Sequence, residues 1–225
     1  LESLNIPYTG SSSESSKVCM NKIITKNILI ENNILTPKFK KITNKISLEY
    51  IESNFKYPFV IKPASEGSSI GVYIVEDRSN YKKALSNVKN ISNDILVEQY
   101  INGIEYTVGI IKNAALPVIK LIPPGKFYDY DAKYNSNQMQ YICPSGLKNE
   151  AEENLRKISL DSFKILECFG WGRVDIIIDN DNTPWVIELN TVPGMTKHSL
   201  VPMAAKEVGI DFNSLVIKIL DSSFK

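Results

Sequence analysis

The feature that most constrains the fold is the stretch of residues 173–190, where two runs of β-branched and aromatic residues flank a polar turn. Such runs on either side of a short Asn/Asp-rich turn predict an antiparallel β-hairpin. Counting outward from the centre of the turn places Asp175 opposite Glu188 and, two residues further along each strand, Arg173 opposite Asn190. Because side chains alternate between the two faces of a strand, all four are expected on one face.

Two carboxylates on one face of this hairpin need a neutralising partner. Directly opposed like charges destabilise a sheet by up to about 1 kcal/mol, and a dry site increases that cost. Carboxylate and amide oxygens are hard ligands that suit Mg²⁺ or Mn²⁺, so Asp175, Glu188 and Asn190 form a candidate metal site. The alternative is a solvated face on which Arg173 relieves the repulsion. The opposite face is expected to pack in the core through Val174, Ile176, Ile178, Trp185, Ile187 and Leu189.

Size and charge limit the class of protein. A chain of 225 residues can bury roughly 70% of its unfolded surface. With 26 basic and 25 acidic residues, the sequence offers no electrostatic case for binding nucleic acid or a membrane surface. The three cysteines lack the spacing of a zinc site or a redox pair, and no apolar run approaches the roughly 20 residues of a spanning helix. We therefore expect a cytoplasmic protein with reduced thiols.

Periodicity along the chain predicts mixed helices and strands. The helices are expected at residues 14–32, 48–55, 80–89, 149–169 and 214–220. The strands before the hairpin are expected at residues 59–62, 72–75, 95–100, 106–111 and 117–122. Residues 123–141 have no clean period, and a loop of that length inside a compact domain is usually functional or disordered.

Two further motifs indicate a nucleotide site. Residues 62–71 form a Ser/Gly-rich loop between two strands, in which backbone N–H groups and Lys62 can approach phosphates, although an ordinary hairpin loop is an equal alternative. Glu98 and Glu105 flank an Asn-Gly turn and could bind ribose hydroxyls or an adenine amino group, or be surface glutamates. Together with the hairpin, these motifs describe a site for a nucleoside triphosphate and metal.

Six blocks of the sequence, which span nearly the whole chain, lie at residues 6–11, 60–71, 127–134, 172–175, 188–191 and 193–202. In content and order these blocks resemble those of the D-alanine–D-alanine ligases. The resemblance implies an α+β, ATP-grasp fold in which two α+β subdomains hold ATP between them. It also implies three segments: residues 1–13 as the end of an N-terminal domain with its linker, 14–97 as the central subdomain, and 98–225 as the C-terminal subdomain.

The resemblance assigns roles to residues by their position in the motifs. The implied cofactor-binding residues are Lys22, Lys62, Glu98, Ile101, Glu105 and Lys133, with the lysines on the phosphates of ATP. The implied ligands of two Mg²⁺ (or Mn²⁺) ions are Asp175, Glu188 and Asn190, the same face that the hairpin predicts. The implied catalytic groups are Arg173 and Gly194 at the oxyanion, and Ser68 and Tyr134 near the substrate amine. Ser199 and Leu200 are implied to bind the carboxylate of the second amino acid.

The activity implied by the resemblance is ATP-dependent ligation of two D-alanine molecules through an acyl phosphate, for peptidoglycan synthesis. A ligase that joins D-alanine to D-lactate or D-serine is one alternative, and a catalytically incomplete nucleotide-binding remnant is another. Small-molecule substrates are the expected partners, and a homodimer is possible. We expect the chain to lack the family's further N-terminal domain, and Gln99 stands where the family often has lysine. A hydrolase using His198 and Ser199 is disfavoured, since adjacent residues rarely align as base and nucleophile.

Overall fold

A computed structural model describes residues 1–43, 45–123 and 139–222 of the chain. The helices are α1 (Ser13–Met20), α2 (Lys22–Glu31), α3 (Leu48–Asn54), α4 (Arg78–Lys89), α5 (Asn149–Ile165), α6 (Leu200–Glu207) and α7 (Phe212–Asp221). The strands are β1 (Phe39–Ile42), β2 (Phe59–Pro63), β3 (Tyr73–Val75), β4 (Ile95–Gln99), β5 (Gly103–Ile111), β6 (Ala114–Ala115), β7 (Ile119–Ile122), β8 (Gln140–Ile142), β9 (Trp171–Asp179) and β10 (Pro184–Asn190). A short 3₁₀ helix, Glu2–Leu4, precedes them.

Within the part of the chain that the structure describes, the strands form two antiparallel sheets. The first sheet has four strands in the order β1-β4-β2-β3. The second has six strands, with β10-β9-β5-β7-β8 as its main path and β6 paired to β5. The chain passes from the first sheet to the second at residues 100–102, and the predicted boundary between residues 97 and 98 lies within β4.

The first sheet buries one face under α3 and α4. Phe59 and Ile61 alternate along β2 and pack with Val97 of β4, and all three are fully buried. Ile51 of α3 and Val88 of α4 complete this core. Helix α4 begins at Asp77, whose carboxylate accepts hydrogen bonds from the backbone N–H groups of the first turn and so replaces partners that the helix itself cannot supply.

The second sheet is covered differently on its two faces. Helices α1, α2 and α5 cover one face, where Val108 of β5 and Val174 of β9 pack with Leu155. Helices α6 and α7 cover part of the other face, where Ile111 and Val201 are buried. The rest of that second face borders a cleft against the first sheet, so residues that alternate with the core along β5 and β9 are available to a ligand.

The hairpin confirms part of the predicted register and corrects the rest. Glu188 pairs with Asp175, and Asn190 pairs with Arg173, as predicted. The prediction for the apolar face was wrong at Ile187, because a β-bulge between Val186 and Glu188 inserts an extra residue and shifts the pairing nearer the turn.

The bulge also changes which side chains on β10 reach the core. Val186 is fully buried there, whereas Ile187 lines the cleft. Trp185 was predicted to pack in the core, but its indole N–H donates to Asp179 Oδ2 at 2.8 Å. One extra residue therefore turns an apolar side chain toward the candidate ligand site.

Three other predictions about elements also need correction. Residues 14–32 form two helices, because Asn21 adopts an extended backbone and its side chain caps α2 by accepting from the N–H groups of Ile23 and Ile24. Helix α5 ends at Ile165 rather than at residue 169. Helix α6 was not predicted; Pro202 lies in its first turn, where a missing N–H costs no helical hydrogen bond. Among the described residues, no helix is long and apolar enough to cross a membrane.

Candidate active site

A cleft of about 400 Å³ lies between the two sheets. Strands β2 and β4 line it from the first sheet, and β5, β9 and β10 line it from the second. The cleft brings together seven residues that the sequence singled out: Lys22, Lys62, Glu98, Ile101, Glu105, Asp175 and Glu188. These residues are separated by up to 166 positions in the chain, so the antiparallel pairing of two distinct sheets is what makes them neighbours.

Two lysines line the cleft at one end. Lys62, near the end of β2, is buried and donates from Nζ to Glu98 Oε1 at 2.7 Å. Lys22, the first residue of α2, donates to the backbone carbonyl of Glu66 and lies 3.6 Å from Glu188 Oε2. Burial lowers the pKa of Lys22, and the Glu188 carboxylate acts in the opposite direction. The lysines thus place positive charge beside the Ser/Gly-rich loop that was predicted to cover phosphates.

A third lysine, which sequence reasoning missed, lies behind these two. Lys26 is fully buried, lies 2.8 Å from Glu98 Oε2 and donates to Thr36 Oγ1 at 2.6 Å. Burial lowers the pKa of Lys26 to about 8. Its spacing of four residues from Lys22 places both on one side of α2, which was the available signal. Burial acts to raise the pKa of Glu98, but Lys26 and Lys62 outweigh burial and hold it below its usual value.

The carboxylate side of the cleft is built on the hairpin. Arg173 holds Asp175 through two hydrogen bonds of 2.8 Å, from Nε to Oδ1 and from Nη2 to Oδ2. Thr107, which the sequence analysis did not single out, donates to Asp175 Oδ1 at 2.6 Å, and Asn190 Nδ2 donates to Oδ2 at 3.1 Å. Glu188 lies opposite on β10 and keeps about a fifth of its side chain exposed to the cleft.

Asp175 is buried, so the face is not solvated there, and the metal site stays a prediction. Arg173 does relieve the charge of Asp175, while Glu188 points toward the cleft with Lys22 as its nearest cation. Within residues 1–43, 45–123 and 139–222, no three His, Cys, Asp or Glu side chains cluster as metal ligands. The hairpin offers two carboxylates and one amide instead, which is a hard, oxygen-rich set that phosphate oxygens could complete.

The other end of the cleft is apolar. Its walls can enclose a flat aromatic base, and Glu105 stands at its edge, paired across the sheet with Leu121 and Ile177. Gln99 and Tyr100 also line this end. The apolar lining comes from Val60, Val72, Ile74, Ile101, Ile104, Leu121, Ile177 and Ile187.

Four other predicted residues are described by the structure but do not line the cleft: Ser68, Gly194, Ser199 and Leu200. Ser199, immediately before α6, accepts a hydrogen bond from the Thr196 backbone N–H at 3.0 Å. Gly194 packs against it, since a Cβ added there would lie 3.0 Å from Ser199 Oγ, and Leu200 begins α6. Ser68 is exposed in the Ser/Gly-rich loop with a φ of +54°. Lys133 and Tyr134 lie outside the described residues.

Sequence and structure comparisons identify close relatives. The family model described as D-ala D-ala ligase C-terminus matches residues 28–221. A D-alanine–D-alanine ligase of Marinomonas sp. is 43% identical over 226 residues, which cover the whole chain and 71% of that relative. The corresponding ligase of Ruthia magnifica is 45% identical and is covered over 75% of its length.

Solved structures agree with the sequence relatives. D-alanine–D-alanine ligase from Bacillus anthracis matches with a TM-score of 0.88 and 38% identity over 99% of the chain and 73% of that structure. A D-alanine–D-alanine ligase from Bacillus anthracis complexed with ATP matches with a TM-score of 0.86 and 33% identity, over 99% of the chain and 72% of that structure. VanG D-Ala:D-Ser ligase from Enterococcus faecalis matches with a TM-score of 0.90 and 27% identity, over 99% and 66%.

These findings confirm the predicted α+β, ATP-grasp fold, in which two sheets face each other across a nucleotide cleft. They also confirm the resemblance drawn from the sequence blocks, since the family model spans both sheets. The chain belongs to the D-alanine–D-alanine ligase family.

Proposed function

We propose that this chain is an ATP-dependent ligase that joins two D-alanine molecules through an acyl phosphate. The observation that carries the proposal is the cleft, where Lys22 and Lys62 lie across from the hairpin carboxylates Asp175 and Glu188 in a chain of this family. Phosphoryl transfer needs little covalent chemistry from the protein and depends on positioning and charge neutralisation, which this arrangement can provide. The product dipeptide would serve peptidoglycan synthesis, as the family resemblance implies.

Different parts of the cleft would bind different parts of Mg-ATP. Lys22 and Lys62 would hold the phosphates, and the apolar end would hold adenine, with Glu105 at the ribose. The carboxylate of Glu98 is already held by two lysines, so its contact with adenosine would come from the backbone at the end of β4. Ile101, on the segment between the sheets, would complete the base pocket.

The hairpin would hold two Mg²⁺ or Mn²⁺ ions through Asp175, Glu188 and Asn190. The donor set fits such ions, because the two carboxylates line the cleft and the Asn190 amide lies beside them, hydrogen-bonded to Asp175, with no thiol or imidazole in the set. When bound, the ions would neutralise charge as the phosphoryl group moves to the substrate carboxylate. Lys22 already lies 3.6 Å from Glu188, so the phosphates would bind where both walls meet.

The amino acid substrates would bind beyond the phosphates. Arg173 is fixed by Asp175 and, with the backbone N–H of Gly194, would stabilise the oxyanion when the second amine attacks the acyl carbon. Ser199 and Leu200 lie at the start of α6, where helix N–H groups suit a carboxylate. Ser68 of the Ser/Gly-rich loop would complete the site together with Lys133 and Tyr134, as the family resemblance implies.

A D-alanine–D-serine ligase is the second candidate, because VanG matches the fold with a TM-score of 0.90. Sequence identity favours D-alanine as the acceptor, since D-alanine–D-alanine ligases reach 45% identity and VanG has 27%. Parallel assays with D-alanine, D-serine and D-lactate as the second substrate would separate the three ligases. We expect the highest kcat/KM with D-alanine.

The experiment that tests the proposal is ADP release from Mg-ATP with D-alanine, with L-alanine and with neither. We expect release that depends on D-alanine, together with a dipeptide detected by mass spectrometry. Hydrolysis of ATP at the same rate in all three mixtures would contradict the proposal, and so would the absence of release with any amino acid. Omitting Mg²⁺ provides the control for the metal requirement.

A further inference from the structure

The buried Lys26 has a charge that the reaction outlined above does not use. Its side chain is fully buried and does not line the cleft, unlike Lys22 and Lys62. It contacts Glu98 Oε2 at 2.8 Å and Thr36 Oγ1 at 2.6 Å, and its Nζ lies 5.8 Å from the centre of the Phe39 ring. Burying an ammonium group costs several kcal/mol, so this one needs a reason beyond packing.

The reason lies in how Glu98 shares its charge. Lys62 Nζ lies 2.7 Å from Glu98 Oε1, and Lys26 Nζ lies 2.8 Å from Oε2, so each carboxylate oxygen has its own lysine. A pair of only Glu98 and Lys62 would be neutral, and Lys62 would have little charge left for a phosphate. With Lys26 present, two positive charges share one negative charge, and the excess is positive on the side that faces the cleft.

We infer that Lys26 is a positioning residue for ATP: it neutralises Glu98 from behind, so that Lys62 presents its positive charge to the phosphates. The inference rests on the proposed use of ATP and concerns how the chain binds it. Burial lowers the pKa of Lys26 to about 8, which still keeps the ammonium charged at neutral pH, as the role requires. Lys26 therefore acts through Glu98 and touches no substrate itself.

The test compares binding of Mg-ATP and of adenosine by the full chain, using isothermal titration calorimetry without any amino acid. In Lys26→Met, a side chain of similar length replaces the cation, and Glu98 then neutralises Lys62. We expect the Kd for Mg-ATP to rise about tenfold or more, because the phosphate-facing charge is lost. The Kd for adenosine should change less than about threefold, since adenosine carries no phosphate.

Two further variants separate charge balance from damage to the fold. Lys41→Met is the matched control, because Lys41 of β1 is also paired with a carboxylate, that of Asp94 just before β4, but is exposed and does not line the cleft. The double variant Lys26→Met/Glu98→Gln removes one positive and one negative charge, which returns the cluster to its original net charge. We expect its Kd for Mg-ATP to lie within about threefold of the unmodified chain.

If Lys26→Met alone fails to fold, the Kd of the double variant for Mg-ATP still tests the inference. Equal ATP affinity in Lys26→Met and Lys41→Met would overturn the inference, and so would a double variant that binds ATP tenfold more weakly than the unmodified chain. A parallel loss of ATP and adenosine binding would indicate a purely structural role and would also overturn it. An unmodified chain that does not bind Mg-ATP would overturn both this inference and the proposed function.

Discussion

The two sheets that face the cleft differ in both size and charge. The first sheet uses short strands, five residues each in β2 and β4, and contributes Lys62 and the buried Glu98, beside which lie Lys22 and Lys26 of α2. The second sheet uses nine-residue strands, β5 and β9, and contributes three carboxylates, Glu105, Asp175 and Glu188, with one lysine, Lys120. Mg-ATP carries both an anionic phosphate chain and a cation, so walls of opposite charge match the two parts of one ligand.

The two walls also balance their own charges in different ways. On the first wall, the Glu98 carboxylate forms ion pairs with two lysines, which leaves an excess of positive charge. On the second wall, one arginine serves Asp175 by a two-point contact, while Glu188 keeps part of its surface in the cleft. Each wall thus holds its charged groups in place before a ligand arrives, which reduces the reorganisation needed during the reaction.

The largest effect is expected on the carboxylate wall. Glu188→Gln keeps the shape of the side chain but removes the charge that would hold a metal ion, so kcat should fall by roughly a hundredfold to a thousandfold. Steady-state ADP release with saturating Mg²⁺ and D-alanine measures this change. Glu153→Gln, an exposed position on α5, is the control and should retain full turnover. Unchanged turnover in Glu188→Gln would remove the metal assignment.

The next effect concerns backbone packing where the chain enters the second sheet. A Cβ on Gly103 would lie 2.1 Å from the Ile178 carbonyl oxygen, so Gly103→Ala forces β5 and β9 apart. We expect a loss of about 2–4 kcal/mol in the free energy of unfolding, measured by urea denaturation. Gly67 of the first sheet's loop has no atom within 4 Å of an added Cβ, and Gly67→Ala should change stability by less than about 0.5 kcal/mol. Similar losses at both glycines would contradict the difference drawn between the two regions.

A smaller effect on activity is expected from the cationic wall. Lys62→Met removes the charge nearest the phosphates, but Lys26 still neutralises Glu98, so the fold should survive. The KM for ATP should rise by about tenfold to a hundredfold while the KM for D-alanine changes little. Initial rates measured over a range of ATP concentrations test this. A change confined to the KM for D-alanine would show that Lys62 serves another part of the site.

The smallest effect is expected at a surface ion pair of the first sheet. Lys41 Nζ lies 2.5 Å from Asp94 Oδ1, but half of the Lys41 side chain is exposed to solvent. Such pairs contribute about 0–1 kcal/mol, so Lys41→Met should lower the free energy of unfolding by less than that and leave kcat/KM unchanged. Thermal melting and the ADP-release assay check the two parts. A loss of several kcal/mol in the free energy of unfolding would contradict the expectation that this exposed ion pair contributes little to stability.

Turn chemistry and the alternation of apolar residues predicted much of the strand arrangement. Turn chemistry placed Asp175 opposite Glu188, and alternation located β2 and β4 within one or two residues. The bulge at Ile187 could not be predicted, because an inserted residue near a turn leaves the pattern of apolar residues almost unchanged. The break at Asn21 was missed for a similar reason, since the apolar spacing on its two sides continues a helical pattern.

The sequence predicted the candidate site less well at residues whose role depends on burial. Lys26 looks like any lysine on a helix, and its complete burial follows from the packing of α2 beside β4, a long-range contact. Thr107 was missed because a threonine in a strand is ordinary, and only the pairing of β5 with β9 brings it to Asp175. Glu98 was predicted to contact the nucleotide, but its ion pairs with two lysines are seen only in the structure.

The central claim is that one Mg-ATP joins the cationic wall to the carboxylate wall. A crystal structure of the chain with Mg²⁺ and a non-hydrolysable ATP analogue tests it most directly. The account predicts phosphate oxygens bonded to Lys22 and Lys62, and metal ions bonded to Asp175, Glu188 and Asn190. A nucleotide bound outside the cleft, or metal ions held by the phosphates without any ligand from the hairpin, would contradict the account.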